Sequence, residues 1–224
     1  MLLNNKNQDY KLAFQKNKYA LSDITGASKQ EIDTYIFNMN TNVSYQHFKE
    51  PLCHFNNISI QKLNISEKTF GACGMLSSIN LEAFAILLEE NFSFLTIGKI
   101  LHQNKNIFSV PERDVVLTKM KQDQQEVSFS LLGSNTHAWI TLGNGLIIDP
   151  SISMSLYGKN DVIIGFPDEL ASQYIYEPYI VADFKDISEI NETYKNMKNI
   201  VINKIISEKL DQMLILKENI KNYY

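Results

Sequence analysis

Three residue types that together can attack a carboxamide occur in the order Cys73, His137, Asp149. Amide chemistry at sulfur needs a thiolate, an imidazole to shuttle the proton and a group that orients the imidazole. The three can lie far apart in sequence, because the fold brings them together. The stretch "TFGACGML" puts Cys73 at the head of a strongly apolar run, with Gly71 and Gly74 on either side. A helix N-terminus carries about half a positive charge, which stabilises a thiolate. The two glycines remove side-chain bulk beside the sulfur, so a substrate backbone can approach. The Cys73 N–H is then a natural oxyanion donor, with Gly74 next to it. Taken alone, however, a cysteine in such a place more often packs than reacts.

His137 opens "THAWITL" and Asp149 closes "GLIIDPS". The two β-rich runs flank Gly-Asn-Gly, which predicts a β-hairpin over 136–151. Pro150 stops the second strand, because proline cannot donate to the ladder. Register decides whether the two side chains meet. A two-residue Asn144-Gly145 loop pairs Ile140 with Asp149 and turns His137 to the opposite face. A three-residue Gly143-Asn144-Gly145 loop pairs Trp139 with Asp149 and puts His137 and Asp149 diagonally on one face. A triad therefore requires the three-residue loop, with Gly145 left-handed. His47, His54 and His102 compete for the imidazole role, but none has an aspartate close behind on a partner strand.

These residues need elements to hold them. "GMLSSINLEAFAILLEENF" predicts a buried helix over 73–91, with Leu76, Ile79, Ala83 and Leu87 in one stripe and Ser77 and Ser78 off it. "SKQEIDTYIFNMN" has a capping box at Ser28 and Glu31 and predicts an earlier helix. "HFNNISIQKLNIS" (54–66) alternates like a strand, and "FLTIGKILHQ" suggests a short helix. "SVPERDVVLTKMKQ" has the residues of a helix start. "EVSFSLL" (126–132) and "DVIIGF" (161–166) read as strands. Residues 1–27 are polar and predict a loosely packed lead-in. The stretch from about Asp186 lacks proline and glycine and predicts a long amphipathic helix. The expected organisation is a lead-in (1–27), a catalytic domain (28–185) and a C-terminal helical segment (186–224) packed on it. The expected class is α+β with an antiparallel sheet.

At 224 residues and 44% hydrophobic content, a core can form without staples. Two cysteines make no disulfide framework, which points to free thiols in a reducing compartment. The formal charge of −4 and the lack of a basic stripe argue against nucleic acid. No run approaches the ~20 apolar residues of a membrane span, and the N-terminal residues do not form a Sec-type signal. Cys53-His54 has no second Cys/His pair at zinc spacing, so neither metal nor cofactor is expected.

The set "GACGML…HAWITL…GLIIDPS" resembles the transglutaminase-like superfamily of cysteine enzymes over about residues 65–155. Cys73, His137 and Asp149 match that family's positions one by one, and Trp139 matches its aromatic two beyond the histidine. The resemblance implies a papain/transglutaminase-like fold and a Cys-His-Asp triad acting on an amide bond of a protein or peptide, as protease, deamidase or cross-linker. Gly74 departs from the bulky residue that usually follows the cysteine in cross-linking members. Gln61, Asn64 and Trp139 are candidates for the second oxyanion donor, left open. Some members are inactive, so the competing expectation is an interaction protein bound through its C-terminal helix. An arylamine acetyltransferase is a third, weakened by the absence of Arg-Gly-Gly before the cysteine. Because bacterial pathogens use this fold for effectors, the expected location is the cytoplasm or, by a non-Sec route, a host cell.

Overall fold

All six residues of His137–Leu142 are buried, so both faces of this strand are covered. The computed structural model describes residues 6–17, 45–66, 72–88, 93–122 and 136–183. In chain order these form α1 (Lys6–Asn17), a 3-10 turn (Gln46–Phe48), α2 (Lys49–Leu63), α3 (Ala72–Leu87), β1 (Ser93–His102) and β2 (Lys105–Asn106). Then come α4 (Arg113–Gln122), β3 (His137–Leu142), β4 (Ile147–Asp149), α5 (Ile152–Tyr157), β5 (Ile163–Gly165), α6 (Pro167–Leu170) and β6 (Tyr174–Asp183). The strands make one antiparallel sheet, β2-β1-β3-β4-β5, with β6 also paired to β1. The architecture is α+β. No helix among the described residues is long and apolar enough to cross a membrane.

Alternation along β3 divides the core. Ile140 and Leu142 point to one face, where they pack with Ile79 and Phe84 of α3 and Leu52 and Phe55 of α2. Trp139 points to the other, with Tyr10 and Phe14 of α1 and Tyr174 and Tyr176 of β6. Fully burying side chains such as Ile79 and Phe84 contributes about 1.5–3 kcal/mol each.

Several expectations change here. Residues 54–66 belong to helix α2, not a strand. The alternation misleads because two polar residues of this helix, Asn56 and Ser59, lie in the core. Leu52, Phe55, Asn56, Ser59 and Ile60 follow the helical period. Residues 93–102 are strand β1, not a helix. A strand covered on both faces loses the polar alternation that identifies it, leaving only β-branched residues such as Thr96 and Ile97 as a signal. The N-terminal segment is not loosely packed throughout: α1 buries Tyr10, Phe14 and Asn17. Asn17 Nδ2 donates to the Pro178 carbonyl at 2.6 Å. Ser77 and Ser78 are buried rather than off the packed stripe, since α3 lies between the sheet and α2.

The buried helix opened by Cys73, the helix after Pro111 and the strand within 161–166 form as expected. The expected helix beginning at Ser28, the strand at 126–132 and the C-terminal helix lie outside the described residues.

Candidate active site

The hairpin has the register a triad requires. Ile140 pairs with Ile148 and Thr141 with Ile147, which sets Trp139 opposite Asp149. The loop is Gly143-Asn144-Gly145, closed by Leu142 N–H donating to Leu146 O at 2.9 Å. Gly145 has φ 86°, where a Cβ would be strained. Asn144 Oδ1 accepts from Leu146 N–H at 3.0 Å and holds the turn from within.

His137 Nε2–H donates to Asp149 Oδ2 at 2.8 Å, between side chains that are 2% and 0% exposed. A buried carboxylate must be fully bonded to stay charged. Asp149 Oδ1 accepts from Ser151 N–H at 3.0 Å, Ile152 N–H at 2.9 Å and Ser151 Oγ at 3.3 Å. The Tyr176 hydroxyl donates to Oδ2 at 3.2 Å. Five donors thus converge on one carboxylate. Burial, the Asp149 charge and that hydrogen bond push the Tyr176 hydroxyl well above its ordinary value, so it remains a donor. Tyr176→Phe should lower stability by about 1 kcal/mol, read as a shift in urea midpoint with unchanged slope.

Cys73 is half-buried in the first turn of α3 and hydrogen-bonds His137. With Nε2 held by Asp149, Nδ1 is the nitrogen left to share a proton with sulfur. Burial pushes the Cys73 thiol up. The charge and hydrogen bond of His137 and the Ala138 N–H outweigh it and hold the thiol below its ordinary value, against the charge of Asp149. Burial likewise disfavours the imidazolium, but Asp149 and Cys73 outweigh it and raise His137 to about 10. Both shifts run in the direction that favours a thiolate beside an imidazolium.

The Ala138–Pro150 pair explains how sulfur reaches a backbone N–H inside a sheet. Hydrogen-bonded pairs alternate along an antiparallel ladder, so the pairing at Leu142 and Ile140 points Ala138 toward Pro150. Pro150 has no N–H, and the ladder ends. That leaves the Ala138 carbonyl without its ladder donor, and it accepts from Ser77 Oγ at 3.0 Å, while the Ala138 N–H turns to Cys73. The Pro150 carbonyl accepts instead from Asn56 Nδ2 at 2.7 Å. Asn56 Oδ1 accepts from Asn80 Nδ2 at 3.0 Å, and Asn80 Oδ1 accepts from Ser59 Oγ at 2.8 Å. This buried chain joins the cysteine-bearing helix to the aspartate-bearing turn through α2.

The other expected site residues fall as follows. Gly74 is buried beside Cys73. Trp139 cannot serve as the oxyanion donor: it is fully buried and its N–H donates to the Tyr10 hydroxyl at 2.9 Å. Gln61 and Asn64 are exposed at the end of α2. The His47 ring lies tilted against Phe48, and His54 is exposed on α2 with its ring edge-to-face with Phe55. His102 sits at the end of β1, bonded to Gln173 and Tyr157. Cys53 packs in the core, its sulfur accepting from Val162 N–H at 3.4 Å. Among the described residues, no three His, Cys, Asp or Glu side chains gather as metal ligands. Sequence reasoning missed Tyr176 and Asn56. The β-rich run Tyr174–Val181 went unread as a strand, although its tyrosines and β-branched residues could have signalled one, and nothing local marked Asn56.

Compared with known proteins, the chain matches no family model, no curated protein and no solved structure.

Proposed function

We propose that the chain is a cysteine enzyme that transfers or hydrolyses an acyl group at an amide bond of a protein or peptide, on a papain- or transglutaminase-like scaffold. The observation that carries this reading is the continuous hydrogen-bonded run Cys73–His137–Asp149, with the Cys73 thiol held below and His137 above its ordinary value. The Cys73 thiolate adds to the carbonyl carbon. The C–N bond breaks as His137 gives its proton to the leaving amine or ammonia, and a thioester remains. His137 then takes a proton from water or an amine as it adds, and the C–S bond breaks. Asp149 keeps the imidazole in the tautomer that faces sulfur and steadies the imidazolium. Gly74 leaves the acceptor unassigned between water and an amine.

Alkylation of Cys73 by iodoacetamide across pH tests the reading. The thiol should react well below the ordinary limb near pH 8.5, and the low-pH rate should collapse in His137→Ala. An ordinary limb that ignores the substitution would refute the triad. Mass spectrometry of protein mixtures treated with wild type or Cys73→Ala would then show cleavage, deamidation or cross-links.

A further inference from the structure

The imidazole of His137 is also covered by a residue that the triad does not use. The ring of Phe108 lies 5.0 Å from it, centroid to centroid, and 4° from parallel. Phe108 comes from the segment between β2 and α4, which shares no strand with the triad. We propose that Phe108 is a positioning residue, held by a preorganised loop so that its flat face fixes the plane of the His137 ring. This rests on the reading of His137 as the proton carrier.

The loop is built to present that side chain. Asn106 closes it with two bonds to one residue: Nδ2 donates to the Val110 carbonyl at 2.8 Å, and Oδ1 accepts from the Val110 N–H at 3.0 Å. Val110 is buried against Val116 and Ile180. Ile107 N–H ties the near end to Ile100 O at 3.4 Å. Immediately after Phe108, Ser109 adopts φ 50°, a left-handed conformation that is strained in a residue other than glycine. The surrounding structure maintains this strain while Phe108 itself remains half-buried, so the core does not require its full volume.

The physical need is specific. Asp149 and Cys73 hold His137 at its two nitrogens, and two bonds along one line leave the ring free to rock about the axis that joins them. A parallel aromatic face removes that freedom, which matters because proton transfer tolerates little displacement. A cation on a desolvated aromatic face is also favoured by the negative face of the ring quadrupole. The titratable groups facing His137 are Cys73 from α3 and Asp149 from β4; Tyr176 from β6 reaches it through Asp149.

The test uses the whole chain with Phe108→Leu, which keeps apolar bulk without a flat face, and Phe108→Tyr, which keeps the face. Two readouts are followed: iodoacetamide alkylation of Cys73 against pH, and the NMR resonances of the His137 ring protons. In Phe108→Leu the rate on the acid limb should fall about five- to tenfold. The upfield ring-current displacement of the His137 protons should shrink. Phe108→Tyr should match wild type in both. If wild type reacts at low pH but Phe108→Leu, still folded by its thermal transition, leaves rate and resonances unchanged, the positioning role is overturned and the triad stands. If wild type itself shows an ordinary thiol limb near pH 8.5, the triad and the positioning role both fall.

Discussion

On the proposed cysteine-enzyme reading, Asp149→Asn should cut amide turnover by about 10,000-fold near neutral pH while the chain stays folded. The substitution preserves shape, and asparagine Oδ1 can still accept from Ser151 and Ile152. What changes is the atom facing His137 Nε2. An amide NH2 there donates, so Nε2 must present its lone pair and the imidazolium loses its counter-charge. Burial lowers the affinity of His137 for a proton, and Asp149 is the first of the effects opposing it. The sign follows directly. In wild type the imidazolium persists up to about pH 10. In the variant that alkaline limb moves down, and Cys73, deprived of its cation, moves up. The window holding both charges closes from both ends. Alkylation against pH reads one limb and the His137 resonances read the other. Wild-type limbs in folded Asp149→Asn would show that Asp149 is a structural cap of the Ser151 turn and no more.

Gly98→Ala should be the most damaging single methyl group in the sheet. Gly98 faces His137 across β1 and β3 and sits where the β1–β6 register shifts. A Cβ there would lie 2.1 Å from the Glu177 carbonyl oxygen, 3.0 Å from Tyr179 N and 3.0 Å from Trp139 Cη2. Two of the three atoms are backbone, so relief requires β6 to move off β1. The third is a fully buried ring. Overpacking of this kind costs about 3 kcal/mol or more, which lowers Tm by roughly 6–12 °C in a chain of this size. Gly165→Ala is the internal comparison. Its Cβ would meet Leu170 Cδ2 at 2.9 Å, the end of a flexible side chain that can turn away. Calorimetry of the two should separate them clearly; equal losses would mean that β6 yields more easily than its packing implies.

The chemistry-bearing residues were legible because they are tied to local signals. Cys73 opens an apolar helix, Gly-Asn-Gly marks a hairpin, and Asp-Pro ends a strand. The remote supports were not. Tyr176 lies 27 positions from Asp149 and Asn56 lies 94 from Pro150. A hydrogen bond across such a separation leaves no period or spacing in the chain. The strand β1 was misread for a related reason. Helices cover both its faces, so burial erased the alternation that would have identified it.

Local residue chemistry therefore determined the triad's membership and narrowed the hairpin to two registers. Gly145 at positive φ and the Asn144 bond to Leu146 realise the one that brings His137 and Asp149 onto one face. Only the tertiary structure decided that Cys73 meets them. That meeting depends on α3 docking where the ladder ends, with Asn56 on the Pro150 carbonyl and the Ala138 N–H left to sulfur. The absence of one N–H at Pro150, which leaves the Ala138 carbonyl to Ser77, is written in the sequence; which group takes the Ala138 N–H is settled by packing.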